Sequence, residues 1–158
     1  GVLATIVTSG NTTISIHGKR QNVECSPGTF IFWDYGYHKL FSEQPFVFAA
    51  ILVTRIISKP DAETICIDLG HKAVASENPL NNRVYFLNAP ELQPTGHSEE
   101  HLILKAEKGN SYKVGDVLYG VPFHICPTVA LHETLAVIEN HRVTGSWSVV
   151  ARKRKISI

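Results

Sequence analysis

Apolar and polar positions alternate in short runs along most of this chain, with turn-forming residues between them at close spacing. Val2 to Val7 is an apolar, β-branched run followed by the small polar turn Thr8 to Thr12, and Thr13-Ile14-Ser15-Ile16-His17 alternates strictly until Gly18 breaks it. After the turn at Cys25-Ser26-Pro27-Gly28, the stretch Thr29 to Asp34 reads as an aromatic-rich strand and Tyr35 to Gln44 as a loop. Pro45 to Ser58 is apolar almost throughout, too continuous for a strand with one wet face. It predicts a central, bent strand, and periodicity leaves a buried helix open. The turn Lys59-Pro60-Asp61 leads into Thr64 to Asp68, which makes a hairpin, and Leu69 to Lys72 exits from it. Arg83 to Leu87 is a further strand and Asn88 to Gly96, with two prolines, a connection. His101 to Lys105 and Val117 to Val121 are strands around the polar turn Lys113 to Asp116. One helical turn fits Thr128 to Glu133, and Thr134 to Glu139 pairs with Ser146 to Ala151 across Asn140 to Gly145. Many short strands and no long amphipathic helix predict an all-β, mainly antiparallel, barrel-like domain with at most short helical turns. A sandwich is the other arrangement this pattern allows.

Composition narrows the function classes. At 158 residues the chain is of one-domain size. Fifteen Lys and Arg against fourteen Asp and Glu leave a net charge of +1, so no global field favours nucleic acid or an acidic membrane surface. The one basic run, Arg152 to Lys155, reads as a solvated strand end. Three cysteines, Cys25, Cys66 and Cys126, cannot all pair and match no disulfide framework, which is the pattern of a reducing, cytoplasmic setting. The apolar runs are too short for a membrane helix, and a soluble protein is expected. The chain opens on Gly1 and contains no methionine, as an excised piece of a longer protein would.

The stretch with most chemistry is Pro122-Phe123-His124-Ile125-Cys126-Pro127-Thr128. If it is extended, His124 and Cys126 point to one side and Phe123 and Ile125 to the other. Imidazole and thiol are both ligands suited to zinc, and two of them leave coordination positions open, as catalytic sites do. The alternative is a packed histidine beside an inert buried thiol. His97-Ser98-Glu99-Glu100-His101 gathers four ionisable side chains on the approach to a strand, fit for acid, base or ligand work or for a solvated loop. Asp68, Gly70 and Lys72 read as a salt-bridged turn. Asp34 closes its strand in a similar way, and no phosphate loop or nucleophile spacing is present.

In combination, these stretches resemble the C-terminal domain of the D-serine dehydratase and D-threonine aldolase family. The resemblance is carried by Ser26 to Asp34 (SPGTFIFWD), Ile67 to Ala73 (IDLGHKA), Ser98-Glu99-Glu100-His101, Val114-Gly115-Asp116, Pro122 to Val129 (PFHICPTV) and Trp147 to Arg152 (WSVVAR). It implies a fold-type III pyridoxal phosphate enzyme, in which an N-terminal β/α barrel carries the cofactor's lysine and a C-terminal β domain closes the site. It also implies a divalent metal on a His-x-Cys or His-x-Asp pair. His124 and Cys126 take those positions, with zinc favoured over manganese, and the Cys form points to a dehydratase rather than an aldolase.

Further expectations follow from the resemblance. The substrate is a D-3-hydroxy amino acid whose 3-hydroxyl meets the metal, leaving by β-elimination or losing its proton for retro-aldol cleavage. Glu99, Glu100 and His101 would orient the ligands or transfer protons. Thr8 to Thr12 looks like the barrel's last turn, and its Gly10, Asn11 and Thr12 would meet the cofactor's phosphate. On this reading residues 1–22 are a remnant of the preceding barrel and linker, and residues 23–158 are the metal-ligand β domain. The parent would be a homodimer. The barrel's lysine is not in this chain, Lys72 does not match it, and the 158-residue protein is expected to be catalytically inert alone. Two rivals stand beside this reading: a non-catalytic β-barrel interaction domain, and a self-contained metalloprotein that adds residues of the 97–101 cluster to His124 and Cys126.

Overall fold

The computed structural model describes residues 6–8 and 10–153. Val2 to Ala4, at the start of the first apolar run, and Arg154 and Lys155 of the basic run lie outside those residues. Strands β1 (Ile6–Thr8) and β2 (Val23–Cys25) pair in parallel, with a one-turn helix α1 (Ile14–His17) between them. A second helix, α2 (Tyr35–Leu40), precedes the main sheet. That sheet holds β3 (Leu52–Ser58), β4 (Thr64–Ile67), β5 (Val84–Phe86), β6 (Gln93–His97), β7 (Leu102–Lys105) and β8 (Val117–Pro122), in the order β5-β8-β3-β4-β7-β6. Every pairing in it is antiparallel. Helix α3 (Ile125–Leu131) follows, and β9 (Thr134–Glu139) and β10 (Arg142–Ser148) form a separate two-stranded ribbon. The result is the expected barrel-like fold, a curled half-barrel of antiparallel sheet with a few short helices. Among the described residues no helix is long and apolar enough to cross a membrane.

Period-two alternation sets which face is inside. Ile65 and Ile67 of β4, Leu102 and Leu104 of β7, and Val84 and Phe86 of β5 are all buried, with more exposed residues between them. They meet Ile56, Leu118, Leu69 and Val74 in one core. Irregular register between Ile56 and Ser58 and between Pro94 and Gly96 bends the sheet. On β8, Gly120 lies between Leu52 and Phe86, and a Cβ there would stand 2.6 Å from Val84 Cγ2, so the curl needs glycine at this crossing. The ribbon turns through Asn140 (φ 49°) and His141 (φ 62°), two left-handed residues as a tight primed hairpin turn requires.

Several local expectations are corrected. Thr13 to His17 is helical rather than extended, and Thr29–Ile31 is a 3-10 turn rather than part of a strand. The Asn11 side-chain oxygen accepts from the Phe30 amide at 3.0 Å and pins that turn from eighteen residues upstream of its start. Fully buried Trp33 then takes a left-handed backbone (φ 53°), strained for a bulky residue, and reverses the chain against Tyr37 and Phe46. Residues 35–44, expected as loop, contain α2. Only residues 52–58 of the long apolar stretch are strand, because Phe46 and Phe48 instead pack on Trp33 and Tyr35. Residues 93–96, expected as connection, belong to edge strand β6, where Pro94 is tolerated beside the register shift. The last strand runs over Arg142–Ser148, earlier than expected, and the helical turn foreseen over 128–133 begins at Ile125.

Candidate functional site

The stretch 122–128 is not a strand. β8 ends at Pro122, His124 is the extended N-cap of α3 (φ −138°, ψ 103°), and Cys126 lies in the first helical turn. Pro127 fits there because a first-turn N–H has no helical acceptor to lose. The two expected strand faces are therefore not formed, though Ile125 is buried and Phe123 half-buried, whereas His124 and Cys126 are both exposed.

What turns the chain at this point is Asp34, which is 1% exposed. Its Oδ1 accepts from Tyr37 N at 2.8 Å as the N-cap of α2, and its Oδ2 accepts from Ile125 N at 3.1 Å. One carboxylate therefore serves the N-termini of two helices that face it from opposite ends of the sequence. Gly36 N donates to Phe123 O at 3.2 Å, and a Cβ on Gly36 would stand 2.5 Å from that oxygen. On the other flank the Thr128 hydroxyl donates to His124 O (2.7 Å) and accepts from Ala75 N (3.2 Å), and His132 Nε2 donates to Ala73 O at 2.8 Å.

These ties bring two further side chains to the pair. Glu77 Oε1 lies 2.6 Å from His124 Nδ1. The carboxylate can only accept, so Nδ1 carries the proton. The Thr29 hydroxyl lies 3.4 Å from Cys126 Sγ. The donor set has the chemistry a borderline metal takes: an exposed thiol, and an imidazole whose Nε2 has no hydrogen-bond partner among the described residues. It is incomplete, since among the described residues no three His, Cys, Asp or Glu side chains lie close enough to hold a metal ion. The 97–101 cluster does not supply the missing donors.

That cluster has its own structure. Ser98 to His101 is the turn between β6 and β7, closed by Ser98 N on His101 O at 2.8 Å. Glu99 and Glu100 are exposed and share Lys72 Nζ at 3.0 and 2.7 Å. Hydrogen bonds from Lys72 hold the Glu99 carboxyl below its ordinary range, and those to Glu100 and Glu99 push the Lys72 amine up. His101 is exposed. His97 is drawn inward, with Arg83 Nη1 donating to Nδ1 at 2.8 Å and Nε2 facing Leu69 O at 3.1 Å. Burial lowers the pKa of His97, the Leu69 carbonyl opposes this, and the charge of Arg83 adds to the lowering. The Asp68 to Lys72 turn divides its charges: Lys72 goes to the glutamates, while Asp68 takes Thr54 Oγ1 (2.6 Å), Arg55 N (2.7 Å) and the Arg55 guanidinium (3.2 Å). Burial alone would raise the Asp68 carboxyl, but those hydrogen bonds and the Arg55 charge hold it below the usual range. Near the start of the chain, Asn11 is buried and committed through its side chain to Phe30. The hydroxyls of Thr13 and Thr12 lie 3.5 and 3.9 Å from where a Gly10 Cβ would be.

Residues 49–138, more than half of the chain, match the family described as "Putative serine dehydratase domain". The chain belongs to this family. Among relatives of the serine dehydratase domain, a D-threonine aldolase of Arthrobacter sp. is 27% identical over 157 residues, covering 96% of this chain and 41% of the aldolase. The crystal structure of D-threonine aldolase from Filomicrobium marinum superposes with a TM-score of 0.82 at 23% identity, over 94% of this chain and 40% of that one. D-threo-3-hydroxyaspartate dehydratase from Delftia sp. HT23 has the same fold, with a TM-score of 0.67 at 20% identity, over 90% of this chain and 43% of that one. A dehydratase of that name is also known as a histidine-to-alanine mutant and as a cysteine-to-alanine mutant in metal-free form, substituted at positions two residues apart. This chain therefore spans about two fifths of the length of the relatives it matches.

Glu77, Thr29 and the double capping by Asp34 were not foreseen from the sequence. Glu77 and Thr29 stand 47 and 97 residues from their partners, and no local pattern links them. Asp34 was visible as a carboxylate after an aromatic run. An N-cap reading of Asp34 ahead of Tyr35 would have found its role.

Proposed function

We propose that this chain is the β domain of a pyridoxal phosphate- and divalent-metal-dependent lyase acting on D-3-hydroxy amino acids, with His124 and Cys126 as the protein ligands of the metal. The observation that carries the reading is the pair itself: an imidazole with Nδ1 taken by Glu77 and an exposed thiol two residues on, both turned outward by one capped helix start. The family membership supports it, as do the lyase names of the relatives and the His and Cys positions chosen for mutation in the dehydratase.

In this reading His124 Nε2 and Cys126 Sγ would hold the metal, and two protein ligands would leave coordination positions for other donors. The metal supplies a Lewis acid at the substrate's 3-hydroxyl, and pyridoxal phosphate supplies an electron sink at Cα. Asp34 and Gly36 keep the 123–126 turn in place, and Glu77 keeps the proton on Nδ1. Glu99, Glu100 and His101 are proposed as proton-transfer or orienting groups, acting from their turn only when substrate and the rest of the parent enzyme are present. Gly10, Asn11 and Thr12 are proposed to meet the cofactor phosphate. The two threonine hydroxyls beside Gly10, those of Thr12 and Thr13, are donors that suit a group rich in acceptor oxygens. Residues 1–22 would then be barrel remnant and linker and 23–158 the β domain, in a homodimeric, cytoplasmic parent that favours dehydration.

Equilibrium dialysis of the 158-residue protein against zinc and manganese tests the reading. Weak binding of one divalent ion per chain, lost in both His124→Ala and Cys126→Ala, is expected, with no turnover of D-serine or D-threonine when pyridoxal phosphate is added. No metal above background would sink the ligand assignment, and robust turnover would sink the division of the active site.

A further inference from the structure

We infer that Glu77 is a positioning residue for His124, holding the imidazole in the tautomer and orientation that present Nε2 outward; the inference rests on the reading of His124 and Cys126 as metal ligands. A neutral imidazole has one N–H and one lone-pair nitrogen, and only the second can bind a metal. Left in solvent, a histidine ring samples both tautomers and turns about its side-chain bonds. Here the carboxylate, an acceptor only, lies 2.6 Å from Nδ1 and assigns the proton to it. Nε2 then carries the lone pair.

The placement of Glu77 comes from the backbone on either side of the contact. The segment leading to it is tied to α3 at two points, Ala75 N on the Thr128 hydroxyl and Ala73 O on His132. The same Thr128 hydroxyl donates to the carbonyl of His124 itself. Glu77 and His124 therefore approach from two strands of chain joined through one buried threonine, which is 2% exposed. At 45% and 47% exposure the two side chains are too wet for their attraction to add much to folding, so the contact's main effect is on where the ring points. A carboxylate on the far nitrogen of a ligand histidine both orients the ring and strengthens it as a donor.

Two measurements on the 158-residue protein decide the matter. Side-chain nitrogen NMR of metal-free protein should find His124 protonated at Nδ1 when neutral, and Glu77→Ala should lose that preference. Zinc titration should show affinity reduced roughly 10- to 100-fold in Glu77→Ala, with the thermal midpoint of the metal-free protein unmoved and Glu77→Asp recovering part of the loss. An Nε2–H tautomer in the unmutated protein would overturn the inference. So would Glu77→Ala binding zinc as tightly as the parent while His124→Ala and Cys126→Ala do not, and there the ligand reading would stand. An unmutated protein, with all of these residues intact, that binds no zinc would overturn both. An affinity loss matched by an equal fall in the metal-free thermal midpoint would reduce Glu77 to a structural residue and overturn the inference alone.

Discussion

Replacing Asp34 with alanine removes both acceptors that start α2 and α3. The loss of the Tyr37 cap costs about 1 kcal/mol, as for other N-cap carboxylates replaced by alanine. The Ile125 N–H is buried, so it is left without a partner, a penalty of about 1–3 kcal/mol. The sum is about 2–4 kcal/mol. With a urea dependence of about 2 kcal/mol/M for a domain of this size, the unfolding midpoint should fall by about 1–2 M. Asp34→Asn keeps one acceptor oxygen and should lose about half as much. Urea titrations followed by far-ultraviolet circular dichroism give the midpoints, and amide exchange at Ile125 reports the local effect. That amide should be protected in the parent and exchange faster in Asp34→Ala. A midpoint within about 0.25 M of the parent, no more than an ordinary surface substitution produces, would refute the double cap.

Two other outcomes follow from geometry and charge. Gly70→Ala places a Cβ 2.0 Å from Glu99 O and 2.2 Å from Glu100 N, so the 70–72 and 98–101 turns must part. The variant should unfold at least about 2 kcal/mol more easily in urea, whereas Gly109→Ser, at a left-handed but open position (φ 83°), should lose less. His97 has its pKa lowered in the fold, so the unfolded chain binds the extra proton as pH drops. Its contribution to stability is complete above the ordinary value of 6.5 and is lost as pH falls from there through the lowered value of the folded state. Thermal midpoints measured from about pH 8 down to about pH 5 should decline in the parent and decline less in His97→Gln.

The legible part of the fold was the part in which local pattern and tertiary environment agree. β4, β7 and β8 alternate in sequence because one face of each really is buried. In the ribbon the alternation and polar turn gave β9, whereas β10, exposed along its whole length, starts earlier than its sequence pattern indicates. The misread segments are those where a distant contact overrules a pattern only five or six residues long. Thr29 to Asp34 looks like a strand, yet Asn11 pins its beginning and the left-handed Trp33 turns its end. Pro94 and Gly96 hid β6, since strand-breaking residues survive on an edge with irregular register. At the candidate site, His124 and Cys126 stood out because both side chains are chemically distinctive and two apart. Glu77 could not stand out, because a glutamate in a loop has meaning only beside its histidine.

The ties at the start of α3 also bear on when the site comes into being. Its contacts bridge 47, 91 and 97 residues, to Glu77, Asp34 and Thr29, while the hairpin of β9 and β10 needs only near neighbours. Closing such long loops carries an entropy that early local structure does not offset, and topologies dominated by distant pairings fold slowly. On the ribosome, residues 29–36 emerge well before the segment that completes the carboxylate's second cap. A chain that has formed its sheet but not joined residue 34 to residue 125 would have its imidazole and thiol, but not the arrangement that makes them a pair. Arrival of that arrangement is a marker of finished folding.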